Sequence, residues 1–134
     1  MKKILVFISL LLLIVPMLSS AQTLDSKYIF EDLEEVDSFR HWNITGWQVL
    51  DTQSLLIDYS GSRSYLLILR HNIPGFRLSN EIELTSGNEE VKAGIDRVLG
   101  RGGDSVSSVI EKIYVLPDRD ARQAVRERLI RNAL

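Results

Sequence analysis

The sequence predicts an all-β fold: a small antiparallel meander of about six strands curled into a barrel or two-layer sandwich, with a C-terminal amphipathic α-helix packed on it. Three observations carry this expectation. The stretch Asp51 to Arg70, DTQSLLIDYSGSRSYLLILR, reads as a β-hairpin whose strands are apolar on both faces. Asn80 to Thr85 alternates apolar and charged side chains, the period of a strand with one wet face. Asp118 to Leu134 carries Ala121, Val125, Leu129 and the region of Ala133 at helical spacing among arginines.

In the hairpin, Gly61 supplies the positive φ that a tight turn needs. With Gly61-Ser62 as the loop, Ser60 pairs with Arg63. One face then carries Leu55, Ile57, Tyr59, Leu66 and Ile68, and the other Leu56, Asp58, Tyr65, Leu67 and Leu69. A hairpin apolar on both faces requires a cover on each side.

Taken in order, the chain divides into residues 1–21, 22–37 and 38–134. Met1-Lys2-Lys3, the apolar run Ile4 to Val15 and the small residues Ser19-Ser20-Ala21 predict a cleaved signal peptide over 1–21. The run is shorter than the roughly 20 residues a membrane-spanning helix needs. A periplasmic or secreted location after cleavage near Ala21 is therefore expected, with membrane contact only through the transient signal peptide. Residues 22–37 are acidic, with Asp25, Glu31, Asp32, Glu34, Glu35 and Asp37 against Lys27. Ile29, Leu33 and Val36 fall at helical spacing, which predicts a short amphipathic turn or helix with a solvated acidic face. Residues 38–134 are expected to form a single β-rich domain.

Ile44 to Leu50 predicts the first strand, with Gly46 as a bulge, and Asp51-Thr52-Gln53 turns into the hairpin. Pro74-Gly75 stops the second hairpin strand, since proline cannot donate a ladder hydrogen bond. Ser86-Gly87-Asn88 is a turn. Val91 to Leu99 predicts one strand with Ile95, Val98 and Leu99 as its apolar content. Gly100 to Asp104 is a flexible connection, without the Lys-Ser/Thr of a phosphate-binding loop. Val106 to Leu116 is the last strand. After Pro117, Asp118 is the N-cap of a helix over 118–133.

Little in the sequence points to chemistry. The 134 residues suit one domain, and the composition is ordinary: 45% hydrophobic, 25% charged, net charge −2. No basic bias suggests a nucleic-acid partner, and no groove accompanies Trp42, Trp47, Tyr59 and Tyr65 as stacking platforms. The absence of cysteine excludes disulfides, thiol nucleophiles and cysteine metal sites. The two histidines, His41 and His71, lie in no metal-binding spacing, and the acidic segment lacks a calcium loop. Ser62, Ser64, His71 and Asp96 form no recognisable triad, and no Gly-x-Ser-x-Gly elbow is present. No catalytic, cofactor-binding or metal residue, and no cofactor, is expected. The expected function is a non-enzymatic periplasmic binding or accessory module for a protein or small-molecule ligand. Two alternatives remain: an enzyme or metal-dependent protein with a site around His41 or His71, and a membrane-surface protein acting through Arg119, Arg122, Arg126 and Arg131 of the helix.

One resemblance runs from Val36 to Leu116. Its carriers are Gly46-Trp47, Asp51, Leu55-Leu56-Ile57, Tyr65-Leu66-Leu67, Ile73-Pro74-Gly75-Phe76, Gly94-Ile95-Asp96-Arg97-Val98 and Ser108-Val109-Ile110-Glu111-Lys112-Ile113. On these the chain resembles a family of small exported bacterial proteins known only as a domain of unknown function. The resemblance implies export and a compact β-rich domain, and supplies no catalytic residues. Family members usually carry cysteine where Ile73 stands, near Val91, and where Ser108 stands, and this chain departs at all three.

Overall fold

The computed structural model describes residues 24–87, 89–101 and 106–133. The expected signal peptide, the start at Gln22, Asn88 and most of the Gly100–Asp104 connection lie outside the described residues, as does the side chain of Ala133.

The strands are β1 (Glu35–Val36), β2 (Ser38–Arg40), β3 (Ile44–Asp51), β4 (Ser54–Tyr59), β5 (Ser64–Leu69), β6 (Glu81–Leu84), β7 (Glu90–Lys92), β8 (Arg97–Arg101) and β9 (Val106–Leu116), followed by helix α1 (Arg119–Ala133). The expected architecture is present: antiparallel strands in a curled half-barrel with one C-terminal helix. The main sheet runs β3-β4-β5-β9-β8-β6, with β1 also on β9, while β2 and β7 form a separate ribbon. The order follows the chain from β3 to β5, and β9 then enters beside β5. Being eleven residues long, β9 serves several partners. It pairs with β5 from Ser64↔Leu116 to Leu69↔Ile110. Its other edge pairs with β8 through Arg97↔Val109 to Gly100↔Val106 and with β1 through Val36↔Ile113.

The hairpin is shifted by one residue from the expected pairing. Tyr59 N–H donates to the Arg63 carbonyl at 3.1 Å, and the pairs are Asp58↔Ser64, Ile57↔Tyr65, Leu56↔Leu66 and Leu55↔Leu67. The loop is Ser60-Gly61-Ser62, with Gly61 at φ 87°. One extra loop residue sends every side chain of the second strand to the opposite face. Tyr65, Leu67 and Leu69 thus share a face with Leu55 and Ile57, while Leu66 and Ile68 join Leu56.

Those two faces are the two cores. Ile44 and Val49 from one end of the sheet meet Ile82 and Leu84 from the other in the cluster around Leu55, Ile57, Leu67 and Ile113. Only the inside of a curled sheet brings both ends together. The β2–β7 ribbon closes that interior with the directly paired Phe39 and Val91, helped by Ile73 and Phe76. On the outer face, Leu50, Leu56, Leu66, Ile68, Tyr114 and Leu116 are covered by Val125 and Leu129 of α1 and by Tyr28 and Phe30. Asp118 caps the helix as expected, its Oδ1 accepting the Ala121 N–H at 2.8 Å.

Two readings of the sequence require correction. The acidic segment forms short turns and no amphipathic helix: a 3₁₀ turn (Ser26–Tyr28), a second turn at Glu31-Asp32 and then β1. Its inward residues are Tyr28 and Phe30, whereas Ile29 is 37% exposed. The Tyr114 hydroxyl holds this chain flat, donating to the Tyr28 carbonyl at 3.2 Å and accepting the Phe30 N–H at 3.4 Å. Second, Val91 to Leu99 is two strands. A turn after Lys92, with Gly94 at φ 80°, separates β7 from β8 and leaves Ile95 71% exposed.

Because Val125 and Leu129 of α1 cover part of the outer core, the chain ended after Pro117 is expected to lose cooperative unfolding and to self-associate. Leu129→Ala in the intact chain should cost about 2–5 kcal/mol in urea denaturation. Unchanged melting of the shortened chain would show that the outer core does not need the helix.

Candidate binding surface

The polar groups that burial makes noticeable are engaged in holding the fold. Asp51 is 4% exposed; its Oδ1 accepts from Gln53 N–H at 2.8 Å and from the Ser54 hydroxyl at 2.7 Å, and its Oδ2 from the Tyr28 hydroxyl at 2.9 Å. This ties the β3–β4 turn to the N-terminal segment. Burial, reinforced by the charge of Asp51 and its hydrogen bond, raises the Tyr28 hydroxyl well above the ordinary tyrosine range. Asp96 closes the β7–β8 turn by accepting the Lys92 N–H at 2.6 Å, and the Ser108 hydroxyl accepts the His71 N–H at 2.9 Å.

The residues considered for catalysis or metal binding are dispersed. Ser62 and His71 are exposed, Ser64 is buried, and Asp96 is committed to its turn. His41 Nδ1 lies 3.3 Å from the Ser86 hydroxyl. Among the described residues no three His, Asp or Glu side chains gather as metal ligands would. In the helix, Arg122 forks onto Asp58, Nη1 to Oδ1 at 2.9 Å and Nη2 to Oδ2 at 3.3 Å. Arg128 donates to the Ser26 and Ile29 carbonyls and lies 4.4 Å from the centre of the Phe30 ring.

Three of the aromatic residues, Phe39, Tyr59 and Tyr65, come together. Inside, Phe39 stacks on Tyr65 at 4.6 Å, and Tyr59 meets the edges of both rings. Tyr59 is the Cα partner of Ile44, and Ile57 that of Trp47. Directly opposed residues share a face. A register shift between Ile44 and Gly46, where the bulge was expected, therefore turns Ile44 and Trp47 to this same inner side. Trp47, at the sheet's margin, is 37% exposed. Just before β3, Trp42 is 55% exposed, with the Arg40 guanidinium 5.3 Å from its ring centre. Two exposed tryptophans, one just before β3 and one within it, offer aromatic surface suited to a flat or apolar ligand face. The sequence offered both tryptophans but not their neighbours Arg40 and Ile44, whose placement depends on the ribbon and the bulge.

The model of a family of unknown function (DUF6491) matches residues 1–132. The chain belongs to this family. No curated protein matches it, and no solved structure does. At or beside the three positions where the resemblance implies cysteine, Ile73, Val91 and Ser108 are all buried, and Ile73 and Val91 pack in the inner core.

Two outcomes are expected. Tyr28→Phe should cost about 1–2 kcal/mol at neutral pH by leaving Asp51 short of a donor. Because the folded-state pKa of Tyr28 is raised, its contribution is complete below about pH 10 and is lost as pH rises beyond. Wild-type stability should therefore fall more steeply above pH 10 than that of Tyr28→Phe; parallel curves would contradict the assignment. The chain has only two tryptophans, Trp42 and Trp47. Native emission should accordingly be red-shifted and readily quenched by acrylamide, and Trp42→Ala should change stability by no more than about 0.5 kcal/mol. Blue-shifted, protected emission would place the rings inside.

Proposed function

We propose that the chain is an exported, non-enzymatic binding or accessory module that engages its ligand through the Trp42–Trp47 surface. The observation that carries the reading is the pair of exposed tryptophans at the edge strand, Trp42 just before β3 and Trp47 within it. Tryptophan is among the residues that most often anchor binding surfaces. The charged start and Ser19-Ser20-Ala21 support export to the periplasm. The membrane-surface alternative is less well supported: Val125 and Leu129, the apolar stripe a lipid-bound helix would need, are consumed by the outer core.

The test has two parts. The mature protein should begin at Gln22 by mass spectrometry and fractionate with soluble periplasmic contents; an intact Met1 in the membrane fraction would refute export. Calorimetry should then register binding when the mature protein is titrated with an extended apolar peptide or an N-acetylglucosamine oligosaccharide, and the response should vanish in Trp42→Ala/Trp47→Ala. A response retained by that variant, or none from either probe, would overturn the binding surface.

A further inference from the structure

The two edges of the sheet are built differently. β6 is four residues long and carries Glu81 and Glu83 on its exposed side. Short, charged edges resist pairing with another chain. β3 is eight residues long, and Ile44 to Leu50 contains no charged side chain. Among the described residues no strand pairs with its outer side, and no turn or loop backbone bonds there. A long uncharged edge without a backbone partner is the template for strand addition, in which main-chain hydrogen bonds supply affinity and alternate side chains supply selectivity.

The charges around this edge indicate what would fit. Ser60 N–H donates to the Asn43 carbonyl, bringing the Ser60-Gly61-Ser62 turn and the adjoining Arg63 to the start of β3. Ile73 N–H donates to the Thr52 carbonyl, and the 3₁₀ turn Phe76–Leu78 lies beside β3 with Arg77 and Leu78 exposed. Arg63 and Arg77 have no ion-pair partner among the described residues. The one carboxylate of β3, Asp51, is buried and occupied by Tyr28, Gln53 and Ser54. The edge thus has an apolar centre at Trp47, with Arg77 beside one end and, near the other, Arg63 on the far side of β4. A second copy of this strand would set like charges against one another, which opposes self-pairing.

We propose that the outer edge of β3 receives an extended peptide segment of a partner protein, apolar at its centre and acidic at its ends, as an additional strand. This names the partner class of the surface described above and rests on the binding-module reading. The probe is a synthetic peptide matching the eight residues of β3 in length, with Val and Ile at its centre and Glu at both ends. Its comparison is the same peptide N-methylated at alternate positions, which keeps every side chain and removes half of the donors. Binding is followed on the full mature chain by calorimetry and tryptophan emission. The unmodified peptide should bind, and N-methylation should weaken it about tenfold or more. Arg63→Glu and Arg77→Glu, both at exposed positions, should each weaken it by about three- to tenfold.

Equal binding by the N-methylated peptide would overturn strand addition and leave the binding surface standing. Response to the oligosaccharide but to neither peptide would do the same. Dimerisation of the free protein abolished by Trp47→Glu would make the occupant a second copy and overturn the proposal. Silence from every probe would remove both this proposal and the binding-module reading.

Discussion

The structure depends on one constraint: the central strands β4, β5 and β9 are apolar on both faces, so the sheet must be covered twice. β5 is buried along its whole length, and β9 from Ile113 onward. Such strands exclude an open sheet with one wet side. Curling encloses the inner face around Leu55, Leu67 and Ile113, and the β2–β7 ribbon and Phe76 close it. The outer face has no sheet to curl over it, so it recruits the two ends of the described chain, the segment around Tyr28 and Phe30 and the helix α1. The N-terminal segment and the C-terminal helix are therefore as much part of the domain as the hairpin.

The outer cover is a composite, and its pieces are joined by polar contacts at their seams. Tyr28 reaches Asp51 across the β3–β4 turn, Arg128 of the helix binds two carbonyls of the N-terminal segment, and Arg122 forks onto Asp58 of β4. Each joins elements distant in sequence, where apolar packing alone leaves sliding inexpensive. The Phe30 ring lies between the Arg128 guanidinium and, edge-on at 5.4 Å, the Tyr114 ring. Directional contacts of this kind fix the relative position of the three pieces, while the leucines beneath supply most of the free energy.

The chain's legibility follows from where its pattern is redundant and where it is degenerate. NEIELT was readable as β6 because its alternation has one solution. Pro117-Asp118 was readable as a helix start because the cap is local chemistry. The hairpin was readable as a hairpin but not in register: with apolar residues on both faces, a slip of one residue buries the same number of leucines, and the turn alone decides. In residues 22–37 the acidic side chains are solvated as expected, but the helical spacing of Ile29, Leu33 and Val36 misled, since Tyr28 and Phe30 are the residues that turn inward. Ile95 was counted inward because a strand was drawn through Gly94, whose φ of 80° makes a turn. The tryptophan surface was partly visible, since Trp42, Trp47, Tyr59 and Tyr65 were recognised as aromatic. The convergence of Phe39, Tyr59 and Tyr65 requires long-range pairing, Phe39 with Val91 and Ile44 with Tyr59, which no local pattern encodes.

Gly46 links the two sides of the sheet at its margin. It pairs with Asp58 on the outer face, and a Cβ there would lie in van der Waals contact, 3.4 Å from Oδ2 of the carboxylate that receives Arg122. The register shift beside it places Ile44 and Trp47, three positions apart, on one side. In an unbroken strand that spacing would put them on opposite faces. A side chain reaching beyond Cβ at position 46 would press on the ion pair that anchors α1, and loss of the bulge would turn Trp47 away from the Ile44–Tyr59 neighbourhood. The anchoring of the helix on the outer face and the presentation of the aromatic surface on the inner face therefore rest on the same short stretch of β3.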